Sequence, residues 1–78
     1  MVEPGSIEQS IRAGLAVTHV EVTGDGAHFE AVIVSPKFVG LKRVRQHQLV
    51  YAALGDRMRE EIHALSMKTF SPEEWAAR

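Results

Sequence analysis

The chain contains no cysteine. Disulfides are therefore excluded, and so is any metal site built on thiolates of its own. Aromatic residues are scarce as well: one tryptophan, one tyrosine and three phenylalanines in 78 residues leave little for base stacking. No apolar run approaches the roughly 20 residues that span a bilayer. The opening MVEPGSIEQS has neither the basic nor the apolar stretch of a secretory signal. These absences lead us to expect a cytoplasmic protein with no membrane partner.

What the chain does have is an ordinary globular balance of 45% hydrophobic and 24% charged residues at net charge −1. Seventy-eight residues suffice for one domain and are too few for two, so 1–78 reads as a single domain with a thin core. A pocket carved into such a core would remove much of what holds it together, which favours binding or delivery over small-molecule chemistry. No Ser-His-Asp order, His-x-x-x-His pair or phosphate loop occurs. The adjacent pairs Glu60-Glu61 and Glu73-Glu74 diverge on a helix rather than converge on a substrate. An enzyme is not expected. Charge is unevenly spread, however. Residues 37–59 hold six of the nine bases (Lys37, Lys42, Arg43, Arg45, Arg57 and Arg59) but only one of the ten acids, Asp56.

Ser6-Ile-Glu-Gln9 has the form of a capping box, and Ile7, Ile11 and Leu15 follow at four-residue steps, predicting a short amphipathic helix. Residues 18–23, THVEVT, alternate strictly, with Val20 and Val22 on one face and His19 and Glu21 on the other, solvated one. Gly24-Asp25-Gly26 then signals a hairpin whose turn residues tolerate positive φ. The following strand, HFEAVIVS, is apolar on both faces from Ala31 to Val34, as a central strand should be. Ser35-Pro36 ends it, with room for an extra turn between Phe38 and Lys42. Val44, His47, Tyr51, Leu54 and Met58 read as one apolar stripe of a helix, with a kink or break near Gly55. A third strand follows, in which His63, Leu65, Met67 and Thr69 share a face. Ser71-Pro72-Glu73-Glu74 caps a last turn or two that folds Trp75 back as an apolar anchor. The order is α-β-β-α-β-α. A helical crossover between the second and third strands favours a parallel, right-handed pairing. The fold class expected is α+β: a small three-stranded mixed sheet with helices on one face, similar to the KH type.

Taken in order, His28-Phe29-Glu30-Ala-Val-Ile-Val-Ser35, Phe38-x-Gly40, Gln46-His47-Gln48-Leu49-Val50-Tyr51, His63-Ala64-Leu65-Ser66 and Ser71-Pro72-Glu73-Glu74-Trp75 resemble the BolA family from about Ser6 to Trp75. The short hairpin GDGAHF looks most like the IbaG branch. The resemblance implies a partner of monothiol glutaredoxins, with histidine from this chain helping to hold a [2Fe–2S] cluster whose thiolates come from the glutaredoxin and glutathione. It places His63 at the histidine of the family's HAL motif and His28 at the hairpin-side ligand position. One departure is Gln46-His47-Gln48, where many relatives carry Arg-His-Arg, and it puts in doubt any role given to those arginines.

The residues support the same reading by a separate route. A [2Fe–2S] cluster usually takes four thiolates, so a chain without cysteine can contribute only imidazole and must share the cluster with a thiol-bearing partner. His63 and His28 are the candidate metal ligands. His47, Tyr51 and Trp75 are expected to be structural, packed side chains. The competing reading is a KH-like DNA-binding regulator that uses Lys37, Lys42, Arg43 and Arg45 for phosphate contacts. Against it, the G-x-x-G loop of KH domains is absent. Alone, the protein is expected to be a monomer or a weak homodimer.

Overall fold

The computed structural model describes residues 2–78; Met1, the first residue of the expected single-domain span, lies outside them. Helix α1 spans Pro4–Gly14. It starts earlier than the capping-box reading places it, because Pro4 occupies the first turn, where a missing N–H costs nothing and φ is already helical. Ser6 is thus inside the helix, its N–H donating to the Glu3 carbonyl at 3.0 Å, and the N-terminus carries no side-chain cap. The predicted apolar face is present: Ile7 and Ile11 are fully buried, and Leu15 is buried just beyond the helix end.

Strands β1 (His19–Gly24) and β2 (His28–Val34) pair antiparallel from His19 opposite Val34 to Gly24 opposite Phe29. The loop between them differs in detail from the expected turn. Only Gly26 takes positive φ, at 100°. Asp25 acts through its side chain instead, Oδ1 accepting the N–H groups of Ala27 at 2.9 Å and His28 at 2.8 Å. Strand β3 (Ala64–Phe70) lies parallel to β2, from Ala64 beside His28 to Phe70 beside Val34, so β2 is central as its two-sided apolar run requires. Between β2 and β3 the chain runs through a 3-10 turn at Pro36–Phe38, helix α2 (Arg43–Leu54) and the short helix α3 (Arg57–Glu60). Gly55, at φ 59°, ends α2 where a break was expected.

Helix α2 is rotated relative to the predicted stripe. Its buried residues are Gln46, Val50 and Leu54, whereas Val44 is 61% and Tyr51 42% exposed. Tyr51 is therefore not a core anchor, His47 sits half-buried at the border, and Met58 belongs to α3 rather than to this helix. The cause is Gln46. Its Nε2 donates to the carbonyls of Phe38 (3.2 Å) and Leu41 (3.1 Å), and its Oε1 accepts from the buried Thr69 hydroxyl at 2.6 Å. These bonds form only when Gln46 faces inward, and they outweigh the burial that Tyr51 would gain.

The main core lies between one sheet face and the pair α1 and α2, centred on Ile7, Ile11, Phe29, Ile33, Phe38 and Val50. Helix α4 (Pro72–Ala77) carries the predicted capping box: Ser71 Oγ accepts from Glu74 N–H at 3.2 Å, and Glu74 Oε1 accepts from Ser71 N–H at 2.9 Å. It lays Trp75 over the far corner of the other sheet face. There the ring lies 5.4 Å from Phe70 and stacks on His19 at 4.9 Å, with the Arg78 guanidinium 3.3 Å from its own centre. Trp75 is the anchor its position predicted. His19, expected to be solvated, is only in part so: Trp75 covers one side of a ring whose side chain stays 39% exposed.

Candidate functional site

Parallel pairing in register sets the geometry of the two candidate ligands. His28 opens β2 directly beside Ala64, and His63 immediately precedes Ala64, so both imidazoles project from the same end of adjacent strands. Their ring centres are 5.5 Å apart with the planes at 86°. With metal–nitrogen bonds of about 2.0–2.1 Å, two imidazoles on one ion hold their ring centres roughly 5 Å apart, so this spacing suits a shared metal. His63 heads a row whose other members, Leu65, Met67 and Thr69, point into the core. The row runs out at the strand end, where His63 stands exposed to solvent rather than packed.

The hairpin holds this end in place. Ala64 N–H donates to the Ala27 carbonyl at 3.1 Å, tying the start of β3 to the loop. Asp25 fixes the loop from the other side through the N–H groups of Ala27 and His28. Those bonds, that from His28 first, hold the Asp25 carboxyl below the usual aspartate range, helped by the nearby His28 ring. Asp25 Oδ2 stands 4.0 Å from His28 Nδ1, too far for a hydrogen bond, with both side chains largely exposed. Asp25 did not emerge as a site residue from the sequence, although an aspartate opening a tight turn carries the signal for this role. Among the described residues no three His, Cys, Asp or Glu side chains form a group able to hold an ion. A metal held by His28 and His63 would therefore need its remaining ligands from another molecule.

The basic segment divides in two. Arg57 is structural: its Nη1 donates to the Ser6 carbonyl at 3.0 Å and to Ser10 Oγ at 2.6 Å, and its Nη2 pairs with Glu61 at 3.3 Å. Arg59 pairs with Asp56 at 2.8 Å on the surface. Lys37, Lys42, Arg43 and Arg45 cluster around the 3-10 turn and the first turn of α2, exposed and with no carboxylate in ion-pair range among the described residues. His47 lies behind them. Its Nε2 is buried and lacks a hydrogen-bond partner among the described residues, so it is packed as expected but unsatisfied. Burial, and secondarily the Arg43 charge, push its pKa down.

A small α+β fold of this topology is shared with solved BolA-fold proteins. A solved BolA homologue from Coxiella burnetii superposes at a TM-score of 0.85 with 47% identity, covering 97% of this chain and 99% of that one. The chain belongs to the BolA-like protein family, which matches residues 8–74. It is 37% identical over 76 residues to the acid stress protein IbaG of Escherichia coli K12, covering 96% of this chain and 90% of that protein. It is also 40% identical over 60 residues to the DNA-binding transcriptional regulator BolA of Haemophilus influenzae, covering 77% of this chain and 58% of that protein. No helix among the described residues is long and apolar enough to cross a membrane.

Proposed function

We propose that this protein is a non-catalytic cytoplasmic adaptor that binds a monothiol glutaredoxin and shares its [2Fe–2S] cluster through His63 and His28, in iron–sulfur trafficking or stress sensing. The observation that carries the reading is the pair of exposed imidazoles 5.5 Å apart on a chain with no thiol. Glutaredoxin and glutathione would supply the thiolates, and the two strand ends would present nitrogen. Replacing thiolate by imidazole raises the cluster potential, as in Rieske centres. It also makes the iron–ligand bond sensitive to protons, because the ligand must be neutral. Free histidine titrates near 6.5, so absorbance of the shared cluster should fall between pH 8 and pH 5.5. A flat absorbance across that range would remove histidine ligation.

A second reading is DNA binding through Lys37, Lys42, Arg43 and Arg45. It is supported by the exposure of these four cations and by the DNA-binding regulators among the relatives. Reversing Lys42, Arg43 and Arg45 to glutamate separates the two. Loss of DNA retention with intact glutaredoxin binding favours the DNA role for this surface, and no DNA retention by the parent chain excludes it.

A further inference from the structure

Among the described residues the exposed large apolar side chains are Val44, Val39 and, less fully, Tyr51. Val44 and Tyr51 lie two helical turns apart along the outward side of α2, and Val39 stands in the turn that leads into it. Their exposure follows from the inward rotation of α2 imposed by Gln46. The same flank begins with Lys42, Arg43 and Arg45, and no acid occurs between Glu30 and Asp56. The segment thus sets exposed apolar side chains next to exposed cations that are unpaired among the described residues.

We infer that this outward flank of α2 docks an acidic, apolar-faced segment of a partner protein. Clustered exposed apolar side chains mark interaction sites on small soluble domains. An apolar centre with tyrosine and arginine inside a polar rim is the anatomy of a protein interface. A phosphate strand offers nothing to cover Val39 and Val44, which argues against nucleic acid as the occupant. A second copy meeting face to face would set Lys42, Arg43 and Arg45 against their own counterparts, which repel. The complementary partner therefore carries carboxylates around an apolar stripe. The patch is small, so the contact should be weak and transient. Its 39–44 part lies toward the opposite end of the sheet from the histidine pair, because β2 carries the chain from His28 to Val34 before α2 begins, and α2 then runs back toward the start of β3.

The test is an amide NMR titration of the isotopically labelled chain with a synthetic helical peptide bearing leucines on one side and glutamates along both borders. A lysine-bordered version, a 20-base-pair DNA duplex and a dilution series of the chain alone complete it. The glutamate peptide should move signals from Val39 to Tyr51 and leave His28 and His63 in place. Val44→Asp and Tyr51→Glu, both at exposed positions and checked for unchanged spectra elsewhere, should each weaken binding roughly tenfold. No response to the glutamate peptide would overturn the inference, as would equal binding of the lysine peptide. It would also fall if the duplex bound the same residues equally well in the parent and in Val44→Asp, or if dilution alone moved them.

Discussion

Replacing Gln46 by leucine keeps much of the side chain's bulk and deletes both of its polar ends. Three groups then lose a partner, and their environments decide the cost. The Thr69 hydroxyl is completely buried and loses its acceptor, a desolvation penalty of about 1–3 kcal/mol. The Phe38 carbonyl still accepts from Leu41 N–H at 3.1 Å, and the Leu41 carbonyl lies on a half-buried residue. These two add about 1 kcal/mol between them. The expected loss is therefore about 2–4 kcal/mol, a large part of the about 4–12 kcal/mol typical of a domain this size. Urea denaturation followed by Trp75 fluorescence measures it directly. Adding Thr69→Val should recover about 1 kcal/mol or more, because the second change removes the stranded hydroxyl. If Gln46→Leu unfolded within about 0.5 kcal/mol of the parent, or if the two changes were additive, Gln46 would not be what sets the rotation of α2.

Tyr51→Ala should cost less than about 1 kcal/mol in the same denaturation assay, because the ring lies on the outward flank; a loss of about 3 kcal/mol or more would mean it is a core residue. Asp25→Ala frees the N–H groups of Ala27 and His28, so amide exchange at both should accelerate and a shared cluster should decay faster; unchanged exchange would refute the role of Asp25 in holding the histidine end. The Asp25 carboxyl titrates lower in the folded state than in the unfolded one, so its contribution is present above pH 3.8 and is lost as pH falls through its depressed folded value. His47 follows the same sign. Its folded pKa is below 6.5, so the unfolded chain binds the proton first, and stability falls as pH drops from about 6.5 toward that lower value. His47→Gln should flatten the stability difference between pH 7.5 and pH 5, and an identical slope would show that another group carries it.

Much of the fold is legible because its signals are local. The Ile7, Ile11 and Leu15 face, the central character of β2, the break at Gly55 and the Ser71–Glu74 capping box each rest on residues within a few positions of one another, and each is found where the pattern places it. The rotation of α2 was not legible. A glutamine counts against burial in any apolar periodicity, and the partners that draw Gln46 inward lie 5, 8 and 23 positions away. Val44 and Tyr51, which complete a convincing stripe on paper, are on the outside as a result. The start of α1 was misplaced for a simpler reason: Pro4 is a stronger first-turn residue than Ser6 is a cap. The histidines were each nameable in sequence, one at a strand head and one after a turn, but nothing local joins them. Their proximity depends on a parallel register that pairs residues 36 positions apart in the chain, His28 with Ala64, which only the folded sheet supplies.

The central claim is tested by mixing the purified protein with a cluster-loaded monothiol glutaredoxin and glutathione, and recording visible absorption and circular dichroism alongside the mass of the complex. A one-to-one complex with an altered cluster spectrum is predicted, with the alteration lost in His63→Ala and weakened in His28→Ala. An unaltered spectrum with no complex, or an altered one that survives loss of both histidines, would contradict it.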